Sequence, residues 1–179
     1  HDYRGYAGRI AGGIFKKGDD VTVLPSGFTS KVKQIHLMEE EIEEAFAPMS
    51  VAMTLEDDID LGRGDMIVKT GNQPNVSQDI DVMLCWFSSE GTQVRSRYTV
   101  MHASNEVKAM VKDIHYKLDI NTLHREEEFE RISLNDIIKV SLRTTKPLMN
   151  DSYRKNRSTG ALILVDESTN ETVAAGMII

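Results

Sequence analysis

The stretch Gly5–Asp19, GYAGRIAGGIFKKGD, combines five glycines with two lysines, the raw material of a phosphate-binding loop. Such a loop needs two glycines separated by four residues, then Lys, then Ser or Thr, so that backbone N–H groups and an ammonium meet the phosphate. Gly13 and Gly18 have that separation, but Asp19 and Asp20 follow, and a carboxylate there repels the ligand. The Gly-x-Gly step of a dinucleotide fold is also missing from this stretch. What remains is hairpin geometry: Arg9-Ile10, Ile14-Phe15 and Val21–Leu24 read as short strand pieces with glycine bends between them.

Other residues with chemical potential fail on spacing. Glu56, Asp57, Asp58, Asp60 and Asp65 suggest a calcium loop. Counted from Asp58, however, Gly62 falls on the fifth position and Arg63 on the sixth, where an oxygen ligand and a glycine belong. A solvated turn is the plainer reading. His36, His102, His115 and His124 have no metal-ligand spacing. Arg63-Gly64-Asp65 is an adhesion-type tripeptide, too short to outweigh an ordinary turn. No serine sits in a nucleophile elbow. No catalytic, cofactor-binding or metal-binding residue is therefore assigned. One basic stretch stands out: Arg143, Lys146, Arg154, Lys155 and Arg157. Local charge pairing on a solvated loop would account for it. The sharper reading is a docking face for an acidic partner or for a further domain outside these residues.

The elements that must carry these residues are short. The chain has 179 residues, 40% of them hydrophobic, enough for one ordinary domain or two small ones. Its net charge of −7 argues against a nucleic-acid backbone binder, which needs a basic face. The single cysteine, Cys85, cannot form an internal disulfide, and a reducing, cytoplasmic compartment fits best. No apolar run is long enough for a bilayer, so no membrane partner is expected. His1 is not a natural start and no signal peptide follows it, so the chain reads as a piece of something longer.

Lys69–Asp79, KTGNQPNVSQD, is the clearest break. It divides the chain into residues 1–72 and 73–179. In the first part Val21–Leu24, Lys31–Met38, Ser50–Leu55 and Met66–Val68 read as strands. Strict alternation in Lys31–Met38 places Val32, Gln34 and His36 opposite Lys33, Ile35 and Leu37. Glu39–Phe46 has the length for one helical turn or two, but with five glutamates it reads better as a solvated acidic loop than as a buried element. In the second part Ile80, Val82, Leu84 and Trp86 share one strand face. Met83, Cys85 and Phe87 make the other face apolar as well. Arg97–Ala103, Ile137–Leu142, Ala161–Val165 and Val173–Ile179 follow as strands. Val107–Leu118 is ambiguous. Val107, Met110, Val111, Ile114 and Leu118 fit a helix, and a strand would need a bulge near Lys112-Asp113. Periodicity alone favours the helix.

Five stretches together carry a family resemblance: DYRGYAGRIAGG (Asp2–Gly13), GDDVTVLPSGFTSKVKQI (Gly18–Ile35), EEAFAPMSVAMTLEDDIDLGRGDMIV (Glu43–Val68), YKLDINTL (Tyr116–Leu123) and DSYRKNRSTGALILVDESTNETVAAGMI (Asp151–Ile178). They resemble the region after the GTP-binding domain in the large, GTP-hydrolysing subunit of bacterial sulfate adenylyltransferase, which is itself similar to elongation factor Tu. The last stretch, with Asn-Arg-x-Thr-Gly and Ala-Gly-Met, is the most specific. Pro48 and Leu162 depart from the usual Gly and Phe.

The resemblance implies an all-β chain of two consecutive small β-barrels, of the second- and third-domain type of translation factors. It also makes Val107–Leu118 a strand. It implies a parent enzyme that couples GTP hydrolysis to formation of adenosine 5′-phosphosulfate from ATP and sulfate. GTP and Mg²⁺ would be held by a GTP-binding domain outside these residues, and the adenylyl-transfer site by a separate small subunit. That domain and that subunit are the expected partners, with no nucleic acid. The alternative is the second and third domains of a translation elongation factor binding tRNA.

Overall fold

The computed structural model describes residues 3–179; Asp2, at the head of the first resembling stretch, lies outside them. The chain is nearly all strand and divides into two units, one ending at Pro74 and one running from Asn75 to Ile179.

The first unit contains β1 (Tyr6–Arg9), β2 (Ile14–Lys16), β3 (Asp20–Leu24), β4 (Thr29–Leu37), β5 (Glu40–Ile42), β6 (Glu44–Phe46), β7 (Ser50–Leu55) and β8 (Met66–Lys69). One antiparallel sheet runs β1-β7-β4-β3-β8, with β5 added on β4; β2 and β6 form a separate ribbon. Sheet and ribbon share a core built from Phe15, Val21, Val23, Val32, Ile35, Ala45 and Met53, among others.

Two expectations change here. Glu39–Phe46 is not a loop: its glutamates face water, but Ile42 pairs with Ile35 and Ala45 is fully buried, which folds the segment into β5 and β6. Nor does β4 alternate strictly. A register shift between Val32 and Gln34 adds one residue to the strand, so Val32 and Ile35 both turn inward.

The glycine-rich opening is turn framework. Gly13 and Gly18 have φ of 75° and 84°, where only glycine sits without steric cost. Asp19, which broke the phosphate-loop pattern, closes the second of these turns. Its carboxylate accepts from the Lys16 backbone N–H at 2.7 Å and pairs with the Lys69 ammonium at 2.8 Å.

The second unit contains β9 (Asn75–Trp86), β10 (Arg97–His102), β11 (Asn105–Leu118), β12 (Arg125–Glu126), β13 (Ile137–Asn150), the single helical turn α1 (Arg157–Gly160), β14 (Ala161–Val165) and β15 (Thr172–Ile178). The antiparallel order β10-β14-β15-β9-β13-β11 returns to β10, so six strands close into a barrel, with β12 appended to β11. Closure removes the unpaired edges that an open sheet exposes. Ile80, Val82, Leu84 and Trp86 face inward as their spacing requires, together with Val100, Ile138, Val140, Leu142 and Leu164.

Val107–Leu118 is strand throughout. Its register against β13 shifts between Val111 and Asp113 and again between Ile114 and Tyr116. The first bulge sets Val111 and Ile114 three residues apart on the inward side, a spacing that a helix face also shows.

Candidate functional site

The acidic residues between Glu56 and Asp65 do not converge. Asp57 accepts from Ser30 Oγ at 2.8 Å, Asp60 pairs with Arg4, and Asp65 accepts from the Gly62 backbone N–H at 2.8 Å. Each of these carboxylates has a different partner, and only Asp65 closes a local turn. Among the described residues, no three His, Cys, Asp or Glu side chains gather as a metal site would require.

The histidines separate likewise. His36 sits edge-on to Tyr3, with ring centroids 6.1 Å apart. His102 is buried, and its Nε2–H donates to the Thr159 carbonyl at 2.8 Å.

Strand pairing produces one contact that sequence spacing did not signal. His115 on β11 lies 2.8 Å from Ser141 Oγ on β13, and Ser141 lies 2.5 Å from Asp81 on β9. The order of donors decides its meaning. The Ser141 hydroxyl donates its hydrogen bond to Asp81, which leaves its lone pairs to accept the Nε2–H of His115. A histidine that donates to the serine cannot serve as its base. The trio is a structural ladder on the barrel's outer face. It is extended by Lys139 with Asp81 at 3.7 Å and by Arg143 with Asp79.

The five basic residues fall on two elements. Arg143 and Lys146 lie on β13 where its register against β9 slips between Arg143 and Leu148. Arg143 is held by Asp79, and Lys146 is exposed. Arg154, Lys155 and Arg157 belong to the segment between β13 and β14, which is organised as a clasp. Asp151 accepts from Lys155 Nζ at 2.6 Å and from Thr159 Oγ1 at 2.9 Å. Asn156 caps α1 by accepting from the Ser158 N–H at 2.9 Å. Through Thr159 the clasp is tied to His102 on β10, and the Tyr153 N–H ties it to the Ile178 carbonyl on β15 at 2.9 Å.

Gly160 is required by close approach: a Cβ there would stand 2.4 Å from Tyr153 Cα. In the Asn156–Gly160 motif, Asn156, Thr159 and Gly160 thus build the clasp. Arg157 is left free to stand over the Tyr153 ring, 5.8 Å from its centroid.

Residues 79–179, which include the ladder, the clasp and most of the closed barrel, match the family described as GTP-eEF1A C-terminal domain-like. The chain belongs to that family. Within it, the chain is 45% identical over 179 residues to the bifunctional enzyme CysN/CysC of Mycobacterium tuberculosis, covering 99% of this chain and 29% of that protein. It is 44% identical over 186 residues to sulfate adenylyltransferase subunit 1 of Sulfurovum sp., covering 99% of this chain and 39% of that one. The chain therefore spans well under half the length of these curated relatives.

Among solved structures, Sup35 complexed with GDP superposes with a TM-score of 0.87 at 20% identity, over 98% of this chain and 45% of that chain. The translation elongation factor SelB of Methanococcus maripaludis gives 0.76 at 19% identity, over 96% of this chain and 38% of that chain. These likenesses establish the translation-factor barrel fold of this eEF1A-type chain. Among the described residues, no helix is long and apolar enough to cross a membrane.

Proposed function

We propose that these two units are the barrel region of the GTP-hydrolysing subunit of a sulfate adenylyltransferase, working in the cytoplasm beside a small catalytic subunit. The observation that carries this reading is the alignment of nearly the whole chain, at over 40% identity, with proteins named sulfate adenylyltransferase subunit 1. GTP and Mg²⁺ would be bound by a nucleotide domain outside these residues, and adenylyl transfer from ATP to sulfate would take place on the partner. The barrels' own part is mechanical: a rigid closed β unit presents a fixed surface through which a nucleotide-dependent rearrangement reaches a docked protein. The net charge of −7 fits a protein partner better than a phosphate backbone.

The test is adenosine 5′-phosphosulfate formation by the intact gene product mixed with the small subunit, with and without GTP. The expected result is a rate that rises with GTP and falls when GTP hydrolysis is blocked. A rate indifferent to GTP would overturn the reading, and salt-sensitive binding of tRNA by the intact protein would favour the translation-factor alternative.

A further inference from the structure

The outer wall of the second barrel is apolar where solvent should make it polar. Strand register lays Met101, Ile163, Ala175 and Cys85 side by side across β10, β14, β15 and β9. One step along the strands, Met177 lies opposite Met83. Their strand neighbours Val100, Leu164, Ala174 and Leu84 are buried in the core, so this row faces out. Met101 and Met177 are each 45% exposed. The clasp overhangs the wall, and Tyr153 and Arg157 complete a groove of about 610 Å³. Arg157 is the one charged residue in its lining, and exposed Arg154 follows Tyr153 on the same segment.

Three features limit what can fill it. A small-molecule site encloses most of its ligand, whereas this groove leaves its two bordering methionines nearly half in water. The wall belongs to a closed barrel, so no free strand edge is available for an added strand. An occupant must satisfy its own backbone, as a helix does. The lining offers a cation and no anion in a chain of net charge −7, so the complementary group is a carboxylate. Methionine side chains, unbranched and polarisable, adapt to an apolar helix face.

We infer that this groove docks an amphipathic helix of the small catalytic subunit, with apolar side chains laid on the Met83–Met177 wall and an acidic residue set against Arg157. This rests on the sulfate adenylyltransferase reading and moves the docking face from the whole basic stretch to one residue of it and an apolar surface.

The test titrates the small subunit against this chain, wild type and three variants, with folding checked by circular dichroism. Met177→Glu and Arg157→Glu, both at exposed side chains, should each weaken binding by about tenfold or more, the range of an interface anchor. Arg143→Glu, on the polar ladder, should change it less than about threefold, as a residue outside the contact does. In the same titration the small subunit should slow alkylation of Cys85, the only thiol in the chain.

Equal affinity for wild type, Met177→Glu and Arg157→Glu would overturn the groove while leaving the enzyme reading intact. Weakening by Arg143→Glu alone would place the contact on the ladder and overturn it too. No binding by the wild-type chain would also overturn it, and the GTP dependence of the intact enzyme would then decide the enzyme reading separately.

Discussion

One strand, β9, carries two outer surfaces. Toward its start the outward residues are Asp79 and Asp81, laddered to Arg143, Ser141 and, through Ser141, to His115. Toward its end they are Met83 and Cys85, which join Met177, Ala175 and Ile163 in an apolar wall. The same closed barrel and the same core lie beneath both. A β surface in water needs only the first kind: exposed charges satisfy one another or the solvent at little cost or gain. The second kind leaves Met101 and Met177 partly in water, and it is the surface on which the docking proposal rests. Along one strand, paired charges thus give way to unpaired apolar side chains.

The largest effect should come from what the two surfaces share. Trp86 is 1% exposed, its indole N–H donates to the Glu90 carbonyl at 2.7 Å, and its ring meets Tyr98 edge-on at 5.7 Å. Trp86→Ala should destabilise the chain by about 3–5 kcal/mol, read as a drop in the urea midpoint. It should also weaken amide protection on β9 strands bordering the wall and the ladder alike. A loss below about 1 kcal/mol, typical of surface positions, would mean that the two surfaces do not rest on one packed core.

A smaller and one-sided effect is expected at the clasp. In Gly160→Ala the new Cβ would meet Tyr153 Cα at 2.4 Å and Tyr153 N at 2.5 Å, backbone atoms that cannot swing aside. Overpacking of this kind costs about 1–3 kcal/mol. The clasp should lift, and Cys85 beneath it should alkylate faster. The ladder has no contact with Gly160, so its ion pairs should persist. Unchanged Cys85 reactivity in a destabilised variant would show that the clasp does not roof the wall.

The inward half of the second barrel was open to reading from sequence because alternation is strict there: Ile80, Val82, Leu84 and Trp86 occupy every second position and are all core. The wall left a signal too, since Met83, Cys85 and Phe87 make the opposite phase apolar. Its extent did not show, because it is assembled from four strands whose order, β10-β14-β15-β9, is not their order in the chain. Bulges hid the rest. At Val111–Asp113 and at Val32–Gln34 an added residue shifts the phase, which imitated a helix in one case and misdirected a strand face in the other. The basic stretch read as one patch because five cations lie within 15 residues of sequence. Asp79 takes Arg143 and Asp151 takes Lys155, partners that only folding supplies. The Asn156–Gly160 motif was recognisable as specific, but its use as a clasp depends on Thr159 reaching both Asp151 and His102.

The smallest effect isolates the ladder by titration. Burial pushes the Asp79 carboxyl up, but hydrogen bonding and charge from the Arg143 guanidinium, with help from the Lys112 ammonium, hold it below its ordinary value. A carboxyl depressed in the folded state binds fewer protons there than in the unfolded chain. Its contribution is complete above the unfolded pKa and is lost as pH falls through the folded one. Wild type should therefore show an acid-side decline in Tm that Arg143→Ala makes shallower. The difference between the two should shrink in high salt, because the pair is exposed and screening acts on it. Met177→Ala should leave the acid-side slope unchanged, since no titratable group leaves with it and the wall has no acid to lose. A slope that changed equally in both variants would mean that the two outer surfaces are energetically one, and the division along β9 would fall.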